Sequence, residues 1–116
     1  AVMHDWHKRL LHDTVPGLIG QWERKLGVNV AGYFLQRMKT KWGSCNPRAR
    51  TIRLNTELAK KPKDLLDYVV VHEMAHLVES THSERFIQIL DRHYPSWREA
   101  RAELNDLPLS AEQWRE

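Results

Sequence analysis

The chain of 116 residues has one cysteine, Cys45. An intrachain disulfide is therefore excluded, and a lone thiol suits a reducing compartment, so a cytoplasmic setting is expected. Long apolar runs are also missing. The longest nearly apolar stretch, Tyr68–Val71, is far too short to cross a bilayer, so no membrane association is expected. The first residues, starting at Ala1 rather than Met, show no charged-then-apolar pattern with a small-residue cleavage site, and no signal peptide is expected. There is no internal repeat and no low-complexity segment. Disulfide-stapled scaffolds, membrane spans and repeat arrays are thereby set aside.

What is present is an ordinary globular balance, 41% hydrophobic and 28% charged, on a chain whose length fits one domain spanning 1–116. The net charge of +3 is unevenly spread. Between Arg37 and Lys63 the only acid is Glu57, whereas acids outnumber bases from 64 onward. A basic middle can attract phosphates or acidic peptides, and it also serves as a solvated strand edge that resists aggregation.

Coarse periodicity divides the chain into a helix over 1–27, a sheet over 28–56, metal-binding helices over 62–107 and a polar tail over 108–116. Trp6, Leu10, Leu11, Leu18, Ile19, Trp22 and Leu26 recur at helical spacing and stop before Gly27, with Pro16 either kinking the helix or opening a second one. His4, His7 and His12 are expected on its exposed end. Val30–Leu35, then the alternation Met38, Thr40, Trp42, Ser44, then Thr51–Asn55 after an Asn-Pro turn predict three short antiparallel strands. Pro62 suits the first turn of a helix, and the residues from Leu65 to Val78 are apolar nearly all round, which marks a buried helix ending near Glu79. Thr81 with Glu84 three residues later reads as a capping box for the next helix. Pro95 ends that helix or opens another, anchored by Trp97 and Leu104.

The buried helix carries VHEMAHLVESTH, and within it H-E-x-x-H. His72 and His76 lie about 40° apart around a helix and one turn apart along it, so both rings can reach one point. That is the arrangement for two of the three protein ligands of a catalytic zinc. Glu73 projects beside them, placed to take a proton from the metal-bound water. Without a metal this would be a pair of core histidines and a buried carboxylate whose nearest bases in sequence, Lys63 and Arg85, are beyond easy reach.

A third ligand is needed. Glu79 is about 10 Å along the axis from His72, too far on a straight helix. Glu84 has a simpler role in the cap. His93, one turn past Leu90, stays open on spacing. His82 is favoured, because a capped turn at Thr81 would return it to the metal. The string H-E-x-x-H-x5-H has metzincin spacing, but Glu79 stands where metzincins have glycine, and all three methionines precede His76.

Four blocks now come together: Met38-Lys39-Thr40-Lys41-Trp42-Gly43-Ser44-Cys45; Ile52-Arg53-Leu54-Asn55; Asp67 through Leu77; and His82-Ser83-x-x-Phe86. In this order and spacing they resemble the YgjP-like family of zinc metallopeptidases, related to the SprT-like and WLM metallopeptidases. The chain departs at Thr81, where the family usually has asparagine, and at Lys41, where it has arginine. The resemblance implies an α+β, minigluzincin-like fold with one zinc ion on His72, His76 and His82 and Glu73 as catalytic base and acid.

The expected activity is hydrolysis of a peptide or protein substrate. Tyr94, His93 and Arg85 are candidates to stabilise the oxyanion. Trp42, Gly43 and Ser44 are candidates for substrate contact, if their strand forms a sheet edge with which an extended peptide can pair. Cys45 reads as a small packed residue. Two rival readings remain: an SprT-like protease recruited to DNA by residues 37–63, and a non-catalytic domain whose zinc only ties helices together.

Overall fold

The computed structural model describes residues 2–106, with side chains from Trp6 onward. The first helix, α1 (Val2–Leu26), is unbroken, and Pro16 lies inside it on the exposed side. The sequence left a kink or a second helix open. A single apolar stripe of Leu11, Val15, Leu18, Ile19 and Trp22 runs past the proline into the core, and that burial outweighs one lost backbone bond. Gly27, at φ +70°, ends α1 in the left-handed conformation that glycine adopts without strain. His7, expected to be exposed, is buried, while His12 is exposed and bonds Tyr33 Oη from Nδ1 at 2.8 Å.

Three strands follow: β1 (Gly32–Gln36), β2 (Gly43–Asn46) and β3 (Thr51–Asn55). The sheet is mixed, in the order β1-β3-β2, with β1 parallel and β2 antiparallel to β3. This corrects the expected antiparallel sheet. The chain reverses at each connection, so β1 and β3 run the same way, and they lie side by side because 37–42 carries the chain past the end of β3 to its far edge. Met38, Thr40 and Trp42, read as strand from their alternation, belong to that connection. Only β2 and β3 form a hairpin, turned through 47–50 with Asn46 Oδ1 accepting from Ala49 N at 3.1 Å. A short 3-10 helix, Thr56–Lys60, leaves β3 and packs on α1.

The centre of the molecule is α2 (Lys63–Ala75), on which α1, the sheet, α3 (Glu84–His93) and α4 (Trp97–Asp106) all pack. From Tyr68 to Ala75 every residue is buried. Trp22 Nε1 donates to Asp67 Oδ1 at 2.7 Å and ties α1 to α2. The helix stops at Ala75, earlier than expected, and the chain continues through tight turns in which Leu77 N donates to Met74 O and Val78 N to Ala75 O, each at 3.0 Å. The cap of α3 also differs. Ser83 Oγ accepts from Phe86 N at 3.3 Å, so Ser83 is the N-cap and Glu84 the first helical residue. Thr81 instead donates from Oγ1 to Glu79 Oε1 at 2.9 Å, inside the turn. Trp97 and Leu104 anchor α4 in the core. The tail at 108–116 lies outside the described residues. Among the described residues no helix is long and apolar enough to cross a membrane.

Candidate metal centre

Tyr68, His72 and His76 form one stripe along α2, spaced four residues apart. The His72 and His76 rings are 5.2 Å apart between centroids. His72 Nδ1 lies 3.4 Å from Tyr68 Oη, and His76 Nδ1 lies 3.3 Å from the Glu79 carbonyl. With the Nδ1 atoms turned to oxygen partners, Nε2 is the nitrogen each ring can offer to an ion; both partners orient the rings, and the Glu79 carbonyl, which only accepts, calls for a proton on His76 Nδ1. Burial holds His72 well below the ordinary histidine pKa, and the neighbouring His76 and His82 push it the same way. A neutral imidazole is the form that binds a metal.

His82 is exposed and stands in the turn just before the Ser83 cap. Its ring centroid is 4.6 Å from that of His76 and 5.5 Å from that of His72. One nitrogen from each of the three rings falls within 4.8 Å of the other two, the one such cluster found among the described residues. Phe86, one turn into α3, touches all three rings. It stacks on His76 at 4.5 Å and meets His72 and His82 edge-on at 5.1 Å. The early end of α2, the turn and the α3 cap together place three imidazoles over one aromatic side chain. Three imidazole nitrogens at this spacing fit a single metal ion.

Glu73 is fully buried on the neighbouring face of α2. Its carboxylate lies against β2. A Cβ added to Gly43 would stand 3.0 Å from Glu73 Oε2, 2.9 Å from Val69 Cγ1 and 3.1 Å from the Arg53 carbonyl. Gly43 is therefore a matter of space for Glu73. β2 is an edge of the sheet.

The other singled-out residues are more dispersed. Trp42 is buried beside Asn55, with the Lys61 ammonium 5.8 Å from its ring, and Ser44 is half-buried on β2, as is Cys45. Tyr94 Oη donates to the Asp64 carbonyl at 2.9 Å, at the opposite end of α2 from His76, and burial raises its pKa to about 12. His93 ends α3, where burial and the nearby Arg92 and Lys25 lower its pKa. Arg85 reaches Glu79 Oε2 at 4.0 Å in an exposed pair, and Glu84 is exposed. His93 is not part of the histidine cluster found among the described residues. Three neighbours of the cluster were given no role at the site by the sequence reading: Tyr68 and Phe86, which stand in its motif blocks, and Arg101. Tyr68 carried a usable signal, four residues before His72 on the same helix. Arg101 carried none, because it arrives from α4 through tertiary packing.

Comparison with known proteins agrees with this picture. The family profile described as YgjP-like, metallopeptidase domain, matches residues 1–107. Among proteins of curated function no match is found. Two solved structures share the fold. The metallopeptidase zymogen abylysin of Pyrococcus abyssi superposes with a TM-score of 0.71 at 21% identity, over 78% of this chain and 90% of that one. The metallopeptidase zymogen jannalysin of Methanocaldococcus jannaschii superposes with a TM-score of 0.65 at 21% identity, over 77% and 91%. With the profile covering nearly all of its length, the chain belongs to the YgjP-like family of metallopeptidases.

Proposed function

We propose that this metallopeptidase is a zinc-dependent hydrolase of peptide bonds, with His72, His76 and His82 as metal ligands and Glu73 as the general base. The observation that carries the reading is the convergence of three histidine nitrogens within 4.8 Å of one another, from His72 on the helix that also carries the buried Glu73, from His76 at its end and from His82 in the turn that follows. A zinc ion held by His72, His76 and His82 would supply Lewis acidity, able to polarise a substrate carbonyl and to lower the pKa of a water to about 7.

The chain's own groups do the rest. Tyr68 and the Glu79 carbonyl orient the His72 and His76 rings, and the carbonyl holds the proton of His76 on Nδ1. Phe86 and the apolar body of α2 keep water from the back of the imidazoles. The Glu73 carboxylate accepts a proton from the attacking water and returns it to the leaving amine, a transfer that typically contributes about 10²–10⁴-fold. The edge strand β2 offers backbone groups with which an extended substrate can pair, alongside Gly43 and Ser44. A purely structural zinc is closed by four protein ligands, whereas the cluster among the described residues has three.

The test is cleavage of casein or a peptide library by the wild type and by Glu73→Gln, with zinc content measured in both. The expected result is full zinc occupancy in both proteins and a loss of cleavage of about 100-fold or more in the variant. Equal cleavage by the two proteins would sink the mechanism.

A further inference from the structure

A groove of about 200 Å³ opens where α1 meets the 3-10 helix and the start of α2. Leu10 and Leu11 of α1, Leu58 and Ala59 of the 3-10 helix and Leu66 of α2 give it apolar walls. Thr14 adds a hydroxyl, but its Oγ1 already donates to the Leu10 carbonyl at 3.0 Å. Leu10 is 39% exposed, and Trp6, four residues earlier on the same face of α1, is 53% exposed. Apolar surface therefore extends along α1 beyond the groove. No member of the histidine cluster is in the wall. His72, six residues after Leu66 on the same helix, is about 9 Å further along the axis.

Lys61 and Lys63 complete the wall. They flank Pro62, between the 3-10 helix and α2. Lys61 is half-buried with its ammonium 5.8 Å from the Trp42 ring, an attraction that leaves the positive charge in place. Lys63 is exposed. Among the described residues no aspartate or glutamate lines the groove. Of the acids nearby in sequence, Glu57 pairs with Lys60 at 3.2 Å, and Asp64 lies outside the wall. Apolar walls favour an occupant that removes them from water, and the two ammoniums set the sign of its charge. A second copy docked here about a two-fold axis would bring its own Lys61 and Lys63 to the same interface and add like-charge repulsion. The volume equals about seven water-sized groups at roughly 30 Å³ each, enough for one short chain and too little for a helix. We propose that this groove is a binding site for an amphiphilic carboxylate, an unbranched chain of about eight carbons whose head group is met by Lys61 and Lys63. The site is separate from the proposed metal centre and does not rest on it.

The test is calorimetric titration of the zinc-loaded protein with hexanoate, octanoate and decanoate, each below its micelle-forming concentration, and with hexanol and octanol. Affinity is expected to rise about four-fold per methylene from hexanoate to octanoate, and by less per methylene to decanoate, whose end leaves the groove. Octanoate is expected to bind about 10-fold more tightly than octanol. In the double variant Lys61→Gln, Lys63→Gln, octanoate is expected to fall to the level of octanol, with octanol itself unchanged, which also shows that the groove is intact. Ala59→Leu, which narrows the groove, is expected to weaken the acid and the alcohol alike. Absence of binding by every probe, or equal binding of octanoate and octanol to the wild type, overturns the proposal. So does a preference for the acid that persists in the lysine variant, which would put the carboxylate on the zinc. A dimer in sedimentation that Leu10→Ser dissociates would give the groove to a second copy and overturns it as well.

Discussion

Gly43 shows how much of the site depends on single atoms. Its backbone needs no glycine for conformation, since its φ is not positive, but a methyl group there would meet Val69, Glu73 and the Arg53 carbonyl at 2.9–3.1 Å. Backbone cannot yield as a side chain can, so the Val69 and Glu73 side chains are the groups that must give way. Gly43→Ala is therefore expected to cost about 1–3 kcal/mol of stability by overpacking. It is also expected to lower kcat about 10- to 100-fold, the scale of a displaced catalytic group, with zinc content and KM little changed. Steady-state kinetics beside a metal assay would check this, and an unaltered kcat would remove Gly43 from the positioning of Glu73. At this scale the sequence was most readable where helix periodicity alone sets geometry. His72 and His76 could be placed together because four residues make about one turn. The place of His82 depends on a turn, and a different residue caps it: Ser83, not Thr81. The reason for Gly43 was hidden, because the carboxylate that fills its space comes from another element.

Among the elements, helices were more legible than the sheet. α1 stops at Gly27 and α2 is apolar on nearly every side, and both properties are written locally. Strand order is not. The connection 37–42 alternates like a strand, yet it crosses the end of the sheet because Asn55 holds it there. Asn55 is fully buried at the end of β3, and its Nδ2 donates to the Met38 carbonyl at 2.8 Å and to the Lys41 carbonyl at 2.7 Å. Its Oδ1 accepts from Glu57 N at 3.0 Å and starts the 3-10 helix. One amide thus fixes the crossing loop, the approach to Trp42 and Gly43, and the exit from β3. Asn55→Ala leaves two carbonyls and one N–H without these partners, and a loss of roughly 2–4 kcal/mol is expected. Urea denaturation would measure it. A change under about 0.5 kcal/mol, the range of an ordinary surface substitution, would show that the loop is held by something else.

For the molecule as a whole, the three histidines join parts that folding alone connects loosely. His72 and His76 stand near the end of α2, His82 lies in the turn that follows, and Phe86 roots the cluster in α3. An ion on the three rings binds the folded chain and has no equivalent partner set in the unfolded one, so it raises stability by mass action. Free zinc at a hundred times its dissociation constant contributes about 2.7 kcal/mol. For a domain of this size that is a rise in Tm of roughly 10–20 °C. If residues 1–107 form one cooperative unit, unfolding is a single transition with and without zinc, and a chelator moves it back down. His82→Ala is expected to lose most of the zinc-dependent rise, and His93→Ala, at the far end of α3, to keep it. Thermal scans of the three proteins, each with zinc and with chelator, decide the third ligand without any substrate. A rise in Tm unchanged by His82→Ala would remove His82 from the metal centre, whatever the protein is later found to cut.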